Sequence, residues 1–230
     1  EAYTVAELLH ALEILRNTNK FDFDVTVIDD NSPDNTAEIV ESLGFGWVSV
    51  LKREKKDGLG NAYRAGFARV LADKNYDQIV TMDADGSHRV EDLPAMFAAI
   101  NPGKSIVLGT RWIAGGSVLN WPRSRQLLSK SGTKYASLTL GVKLADLTGG
   151  FRIYSRQLLD SLRLNDMNAT GYCFQIEMAL AADLADAKAT EVPITFVERV
   201  NGVSKMSRAI VIEALIQTTL WGVKRRLRPN

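Results

Sequence analysis

The chain lacks most of the features that would assign it quickly. It has one cysteine, Cys173, in 230 residues, which excludes an intramolecular disulfide and fits a reducing compartment. It has almost no net charge: 28 Lys and Arg against 27 Asp and Glu leave +1. A general nucleic-acid binder usually carries a strong basic excess, so nucleic acid is not expected as a partner. No uninterrupted apolar run is long enough to span a bilayer, and no signal-peptide pattern is found. Any membrane contact is therefore expected to be peripheral or made through a partner chain. There is no internal repeat and no low-complexity linker.

What remains is ordinary globular composition, 46% hydrophobic and 24% charged, in a chain long enough to bury a full core. The first half alternates helix and strand patterns. "VAELLHALEIL" has helical spacing, and "DVTVID" reads as a strand ending in the turn-rich "DNSPDNT". Thr36 to Leu43 reads as a helix closed by Gly44. "WVSVLKR", "YDQIVTMDAD" and "SIVLGTRW" read as further strands, separated by helices in "GLGNAYRAGFARVLADK" and "VEDLPAMFAAI". This spacing predicts an α/β, mainly parallel sheet with helices on both faces, whose ligands sit at the carboxyl ends of the strands. In the second half, "SRQLLSKSGTKYASLTLG" and "FQIEMALAADLADA" read as helices. "LADLTGGFRIYS" is a loop entering a strand, and "TEVPITFVER" is a strand. "AIVIEALIQTTLWGVKRRLRPN" is an amphipathic helix with a basic end. The division drawn is one domain over residues 1–207 and an amphipathic, basic extension over residues 208–230.

Five features could carry chemistry. "MDADGSH" sets Asp83 and Asp85 around Ala84 where a strand surfaces. Hard carboxylate oxygens suit Mg²⁺ or Mn²⁺ if Gly86 lets the strand kink, but a solvated turn would use the same residues. In "VIDDNSPDNT", Asp29 and Asp30 could bind a ribose or base, or form an Asx-turn; Asp34 and Asn35 fit the turn and N-cap better. "KKDGLGNAYRAG" is neither a P-loop nor a dinucleotide fingerprint. Gly58 and Gly60 there suit a tight turn and helix start, while Lys56 or Arg53 could reach a phosphate. "DLTGGFRIY" could approach a ligand closely, though a bulge or turn explains its glycines as well. Arg111, Arg123, Arg125, Arg199 and Lys205 fall in or near loops after strands, where guanidinium groups suit phosphate. His88 could be a ligand, a base or simply structural.

These stretches, with "WPRSRQLLS", "GYCFQIEM" and "EVPITFVERVNGVSKMS", occur in an order that resembles the polyprenol (dolichol) phosphate mannose synthases. That family comprises GT-A, Rossmann-like glycosyltransferases of family two. The resemblance runs from about Asp24 to Ser207, and its later motifs are the more specific. It implies that Asp29 and Asp30 bind the nucleotide with Lys56 and Gly58 nearby, and that Asp83, Ala84 and Asp85 meet the diphosphate. Asp83 and Asp85 would be metal ligands, with Ser87 where the family often has glutamine. Arg111, Arg123, Arg199 and Lys205 would lie near two phosphates, with Asp85 among the catalytic residues. It further implies a strand before Glu1 whose absence leaves its neighbours unpaired.

The implied reaction is inverting transfer of mannose from GDP-mannose to polyprenyl phosphate, with Mg²⁺ or Mn²⁺. The implied location is peripheral, on the cytoplasmic face of a membrane, with a separate membrane-anchoring chain as one route to it. The rival readings are glucose transfer from UDP-glucose on the same fold, a non-catalytic nucleotide- or lipid-binding module, and a metal-dependent nucleotidyltransferase.

Overall fold

The structure, a computed structural model, describes residues 2–171, 173–198 and 208–227. Helix α1 (Ala2–Asn19) buries Val5, Leu9, Leu12 and Leu15, a stripe at helical spacing. Strand β1 (Val25–Asp29), helix α2 (Thr36–Ser42), strand β2 (Val48–Lys52) and helix α3 (Leu59–Leu71) follow. Strand β3 (Gln78–Thr81) leads through one 3-10 turn into helix α4 (Leu93–Ala98). Strand β4 (Ser105–Thr110) is buried at every position. Strand β5 (Ser117–Leu119) and helix α5 (Arg123–Leu140) come next. Strand β6 (Arg152–Ser155), helices α6 (Arg156–Ser161) and α7 (Phe174–Leu184), strands β7 (Lys188–Pro193) and β8 (Thr195–Val197), and helix α8 (Arg208–Leu227) complete the described strands and α-helices.

The main sheet has the order β3-β6-β4-β7, with β1-β2 and β5-β8 as separate pairs. Three of the five pairings are parallel, and both antiparallel ones belong to β6. The sheet is therefore mixed α/β. The expected strand "TEVPITFVER" is two strands in two sheets. β7 runs beside β4 as far as Pro193, and the Ile194 N–H then donates to the Thr110 carbonyl, 3.2 Å. The chain leaves to pair β8 with β5. A proline at the last ladder position cannot donate further, and the break falls there. Neither β5 nor α6 was expected. α6 does carry a local signal, since the Ser155 hydroxyl caps it by accepting from the Leu158 N–H, 3.2 Å.

β1 and β3 do not pair with each other among the described residues. They face across a cleft walled by α1 on one side, through Val5, Leu9 and Leu12, and by α3 on the other, through Tyr63, Phe67 and Val70. Side chains alternate accordingly. Val25, Val27 and Val80 turn toward the α1 cluster, whereas Ile79 joins Phe67 in the α3 cluster. α5 and α8 pack on each other and, through Leu140 and Trp221, on α7.

Candidate active site

A cavity of about 1700 Å³ runs from this cleft past the carboxyl ends of β1 and β3 to a groove between α5 and α8. It brings together Asp29, Asp30, Lys56, Gly58, Asp83, Ala84, Asp85, Ser87 and Arg111, which are far apart in the chain.

The acidic pair is held by backbone geometry. The Ser87 N–H donates to Asp85 Oδ1, 3.0 Å, closing an Asx-turn. The Asp83 N–H donates to His88 Nδ1, 3.0 Å. His88 is 3% exposed, stacked on Phe151 at 4.9 Å and set edge-on to Phe196 at 5.4 Å. Burial pulls its pKa below 6.5 despite the nearby Asp83 and Asp85 carboxylates. A neutral ring that accepts at Nδ1 carries its proton on Nε2. His88 thus fixes the Asp83 backbone through Nδ1, and its Nε2 lies 3.9 Å from Asp83 Oδ2, so both ring nitrogens face Asp83. Ala84 is anchored through its carbonyl, which accepts from the Thr4 hydroxyl, 2.9 Å.

Asp83 keeps 42% of its side chain exposed. The Ser87 hydroxyl is buried and has no hydrogen-bond partner among the described residues. No group of three His, Cys, Asp or Glu side chains forms a metal cage among the described residues. Two hard carboxylates with one orphan hydroxyl make a partial oxygen set. That suits Mg²⁺ or Mn²⁺, which complete their coordination with water and substrate phosphate, better than a metal needing a protein cage.

Asp29 is 6% exposed, and its Oδ2 accepts from the Ser32 N–H, 3.1 Å. Asp30 pairs with Arg53, which also pairs with Asp57. Arg53 is thereby occupied, and Lys56 is the lysine of this loop that lines the cavity. Asn35 stands at the N-cap of α2 in the left-handed region, φ 58°, without a side-chain cap. The Asp34 carboxylate instead accepts from the Thr36 hydroxyl, 2.6 Å, and the Ala2 N–H, 3.1 Å. The glycine loop is a packing device: any Cβ on Gly58 or Gly60 would collide with the backbone carbonyls of Thr170 and Ala169. The Gly60 N–H donates to the Thr170 carbonyl, 2.9 Å.

The cations separate into distinct cases. Arg111, 6% exposed, is clamped by Asp146 through Nε at 2.6 Å and Nη2 at 2.8 Å. Nη2 also donates to the Thr148 hydroxyl, 2.9 Å. Burial acts to raise the Asp146 carboxyl, but the Arg111 guanidinium overrides it and holds the pKa below 3.8. The guanidinium lies 5.3 Å from each of the rings of Trp112, Trp121 and Phe196. Arg125 lines the cavity, lies 3.9 Å over Trp121 and pairs with Glu198 at 2.5 Å. Arg123, at the start of α5, is exposed and outside the cavity wall. Arg199 and Lys205 lie outside the described residues. The "TGG" loop does border the cavity. Arg152, 0% exposed, supports it by donating to the carbonyls of Leu147, 3.0 Å, Gly149, 2.9 Å, and Gln175, 2.7 Å.

Asp146, Arg152, Tyr63 and Gln175 escaped the sequence reading. An Asp in "LADLT" and an Arg in "FRIYS" look like surface charges until their burial is known. Tyr63 sits in an otherwise helical stretch. Burial, reinforced by the Asp83 charge, pushes its phenol well above 10, so it stays protonated.

An α/β sheet with paired carboxylates at a strand end and cations around one cleft is the layout of a nucleotide-sugar transferase, and the comparisons agree. The chain belongs to glycosyl transferase family 2, whose model matches residues 2–163. It is 41% identical over 206 residues to the polyprenol monophosphomannose synthase of Mycolicibacterium smegmatis, covering 88% of this chain and 77% of that protein. It is 43% identical over 205 residues to the undecaprenyl-phosphate mannosyltransferase of Micrococcus luteus, covering 88% of this chain and 84% of that one. In fold it resembles glucosyl-3-phosphoglycerate synthase from Mycobacterium tuberculosis, crystallised with Mn²⁺, UDP and glucosyl-3-phosphoglycerate. The TM-score is 0.64 at 19% identity, over 96% of this chain and 76% of that one. The architecture is the GT-A glycosyltransferase fold.

Proposed function

We propose that the chain transfers mannose from GDP-mannose to a polyprenyl phosphate, with inversion at the anomeric carbon. The observation that carries this reading is the two-ended cavity. Its polar end holds Asp29, Asp83, Asp85 and Arg125, and its other end runs between α5 and α8 past Leu128, Tyr135, Ile210 and Leu215. A charged donor suits the first end and an isoprenoid chain the second. The names of the two curated relatives support the acceptor class.

The acceptor phosphate is already an anion, so its attack on the sugar needs no strong general base. Positioning and charge stabilisation would supply most of the rate. Asp83 and Asp85 would hold Mg²⁺ or Mn²⁺, which would neutralise the diphosphate leaving group. Arg125 would counter phosphate charge at the cavity wall. Arg111, clamped by Asp146, would set the position of Thr148 and the Trp121 ring. Arg199 and Lys205 remain proposed phosphate cations on the resemblance alone.

The lipid acceptor requires access to a membrane surface. No helix among the described residues is long and apolar enough to cross one. α8 exposes Ile212, Leu215, Ile216, Leu220 and Val223, and neighbouring α5 exposes Leu127 and Leu138. Trp221 packs inward. At the basic end, Arg225 is paired with Asp183, 2.7 Å, while Lys224 and Arg226 are exposed. An apolar face with cations at its end suits an interfacial helix on anionic lipid, peripheral on the cytoplasmic side. The extension over residues 208–230 is proposed as this membrane-facing element.

The test incubates the protein with Mg²⁺, a short polyprenyl phosphate and radiolabelled GDP-mannose or UDP-glucose in parallel. Label entering the lipid phase from GDP-mannose alone is expected. Transfer from UDP-glucose alone would overturn the donor, and transfer from neither would overturn the reaction.

A further inference from the structure

Gly150 marks a point where three polar groups converge. A Cβ built there would stand 3.0 Å from the Tyr63 hydroxyl, 3.5 Å from Asp83 Oδ1 and 3.5 Å from Gln175 Nε2. The backbone beneath is hydrogen-bonded on both sides: the Thr81 hydroxyl donates to the Gly150 carbonyl, 2.7 Å, and Arg152 donates to the carbonyls of Gly149 and Gln175. Gln175 is 2% exposed, and neither atom of its carboxamide meets a partner at full hydrogen-bonding geometry among the described residues, although the Tyr63 hydroxyl faces it. A buried amide in that state is costly to keep.

Packing does not explain the Tyr63 hydroxyl. The ring stacks on Phe174 at 5.4 Å and lies 6.1 Å from Phe67, in an aromatic cluster that a phenylalanine would fill equally well. Tyr63, Asp83, Gly149 and Gly150 line the cavity together, and the missing Cβ of Gly150 is what lets the Tyr63 hydroxyl approach this backbone closely. This part of the wall adjoins the carboxylates assigned above to the diphosphate end. A phenol both donates and accepts, which is what recognition of a sugar hydroxyl requires.

We propose that Tyr63 is a specificity-determining residue that binds a hydroxyl of the transferred hexose over Gly150, with Gln175 as the positioning residue that orients the phenol. This rests on the donor reading above and deepens it: the nucleotide is held elsewhere, and this notch reads the sugar.

The test compares affinities for GDP-mannose and for GDP, both with Mg²⁺, in wild type, Tyr63→Phe, Gln175→Leu and Gly150→Ala, with a melting curve for each. Tyr63→Phe is expected to weaken GDP-mannose roughly tenfold, the usual scale of one lost hydrogen bond, and to leave GDP unchanged. Gly150→Ala, whose methyl group would stand 3.0 Å from the Tyr63 hydroxyl and displace it, should give the same split with the phenol retained. Gln175→Leu should shift GDP-mannose in the same direction by less. Equal affinity for GDP-mannose in wild type and Tyr63→Phe would overturn the proposal. So would parallel weakening of GDP and GDP-mannose, which would mark Tyr63 as serving the carboxylates or the fold. If the wild type binds UDP-glucose and not GDP-mannose, the donor assignment fails, and the same comparison made with UDP-glucose and UDP still decides the notch.

Discussion

Arg111 and Arg125 share one ring, Trp121, and differ in everything else. Arg111 is 6% exposed and faces a carboxylate that is itself sealed, with the Asp146 side chain at 0% exposure. Arg125 keeps 22% of its side chain exposed beside Glu198 at 31%. The buried pair has lost its hydration and holds together only because each charge satisfies the other. The partly exposed pair still has water available. Two arginines that read alike in sequence are therefore proposed to serve differently, Arg111 as a fixed brace and Arg125 as a cation that meets phosphate. Burial of the counter-charge is the observation that separates them.

Removing the brace should have the largest effect. Asp146→Ala leaves Arg111 buried and uncompensated, and should cost about 3–5 kcal/mol in a urea or thermal unfolding curve. A loss under 1 kcal/mol would mean that Arg111 rehydrates and that the contrast with Arg125 is false.

Acid should act on the same pair. The folded-state pKa of Asp146 lies below its ordinary value of 3.8. Its contribution is thus fully present above about pH 4 and is lost as pH falls through the lowered value, since the unfolded chain binds the proton first. Stability measured from pH 5 downward should fall more steeply in wild type than in Asp146→Asn.

Arg125→Ala should do the reverse of the Asp146 change. Stability should move by less than about 1 kcal/mol, as for other partly exposed pairs. Transfer activity should fall on the order of tenfold or more, the scale of a lost charge-assisted contact to phosphate. Unchanged kcat/KM would return this arginine to the structural class. The smallest change belongs to Arg123→Ala. Its exposed side chain outside the cavity wall should leave stability within about 0.5 kcal/mol of wild type, with binding of GDP-mannose unaltered.

Much of the fold was legible because it is written locally. The apolar stripe of α1 and the β-branched runs of β1 and β4 each declare their period within a few residues. So did the ends of β1 and β3, where turn residues follow apolar runs and the acidic pairs emerge. The division of "TEVPITFVER" into β7 and β8 was not legible, because the choice of strand partner depends on β4 and β5, more than 70 residues earlier. His88 was ambiguous for the same reason. Only the aromatic walls of Phe151 and Phe196, brought from elsewhere in the chain, bury it behind Asp83.

By itself the sequence determined the alternation of elements, the glycyl and acidic turns at strand ends, and the ordered motifs that resemble a family. These follow from dihedral preference, side-chain period and spacing, all properties of neighbouring residues. Tertiary structure alone decided which charges are spent. Asp146 reaches Arg111 across 35 residues, and Arg152 gives its guanidinium to the carbonyls of Leu147, Gly149 and Gln175. Tyr63 and Gln175 meet at a glycine far from both in the chain. A charge or an amide has no fixed role until its solvation is known, and solvation is a property of the folded neighbourhood.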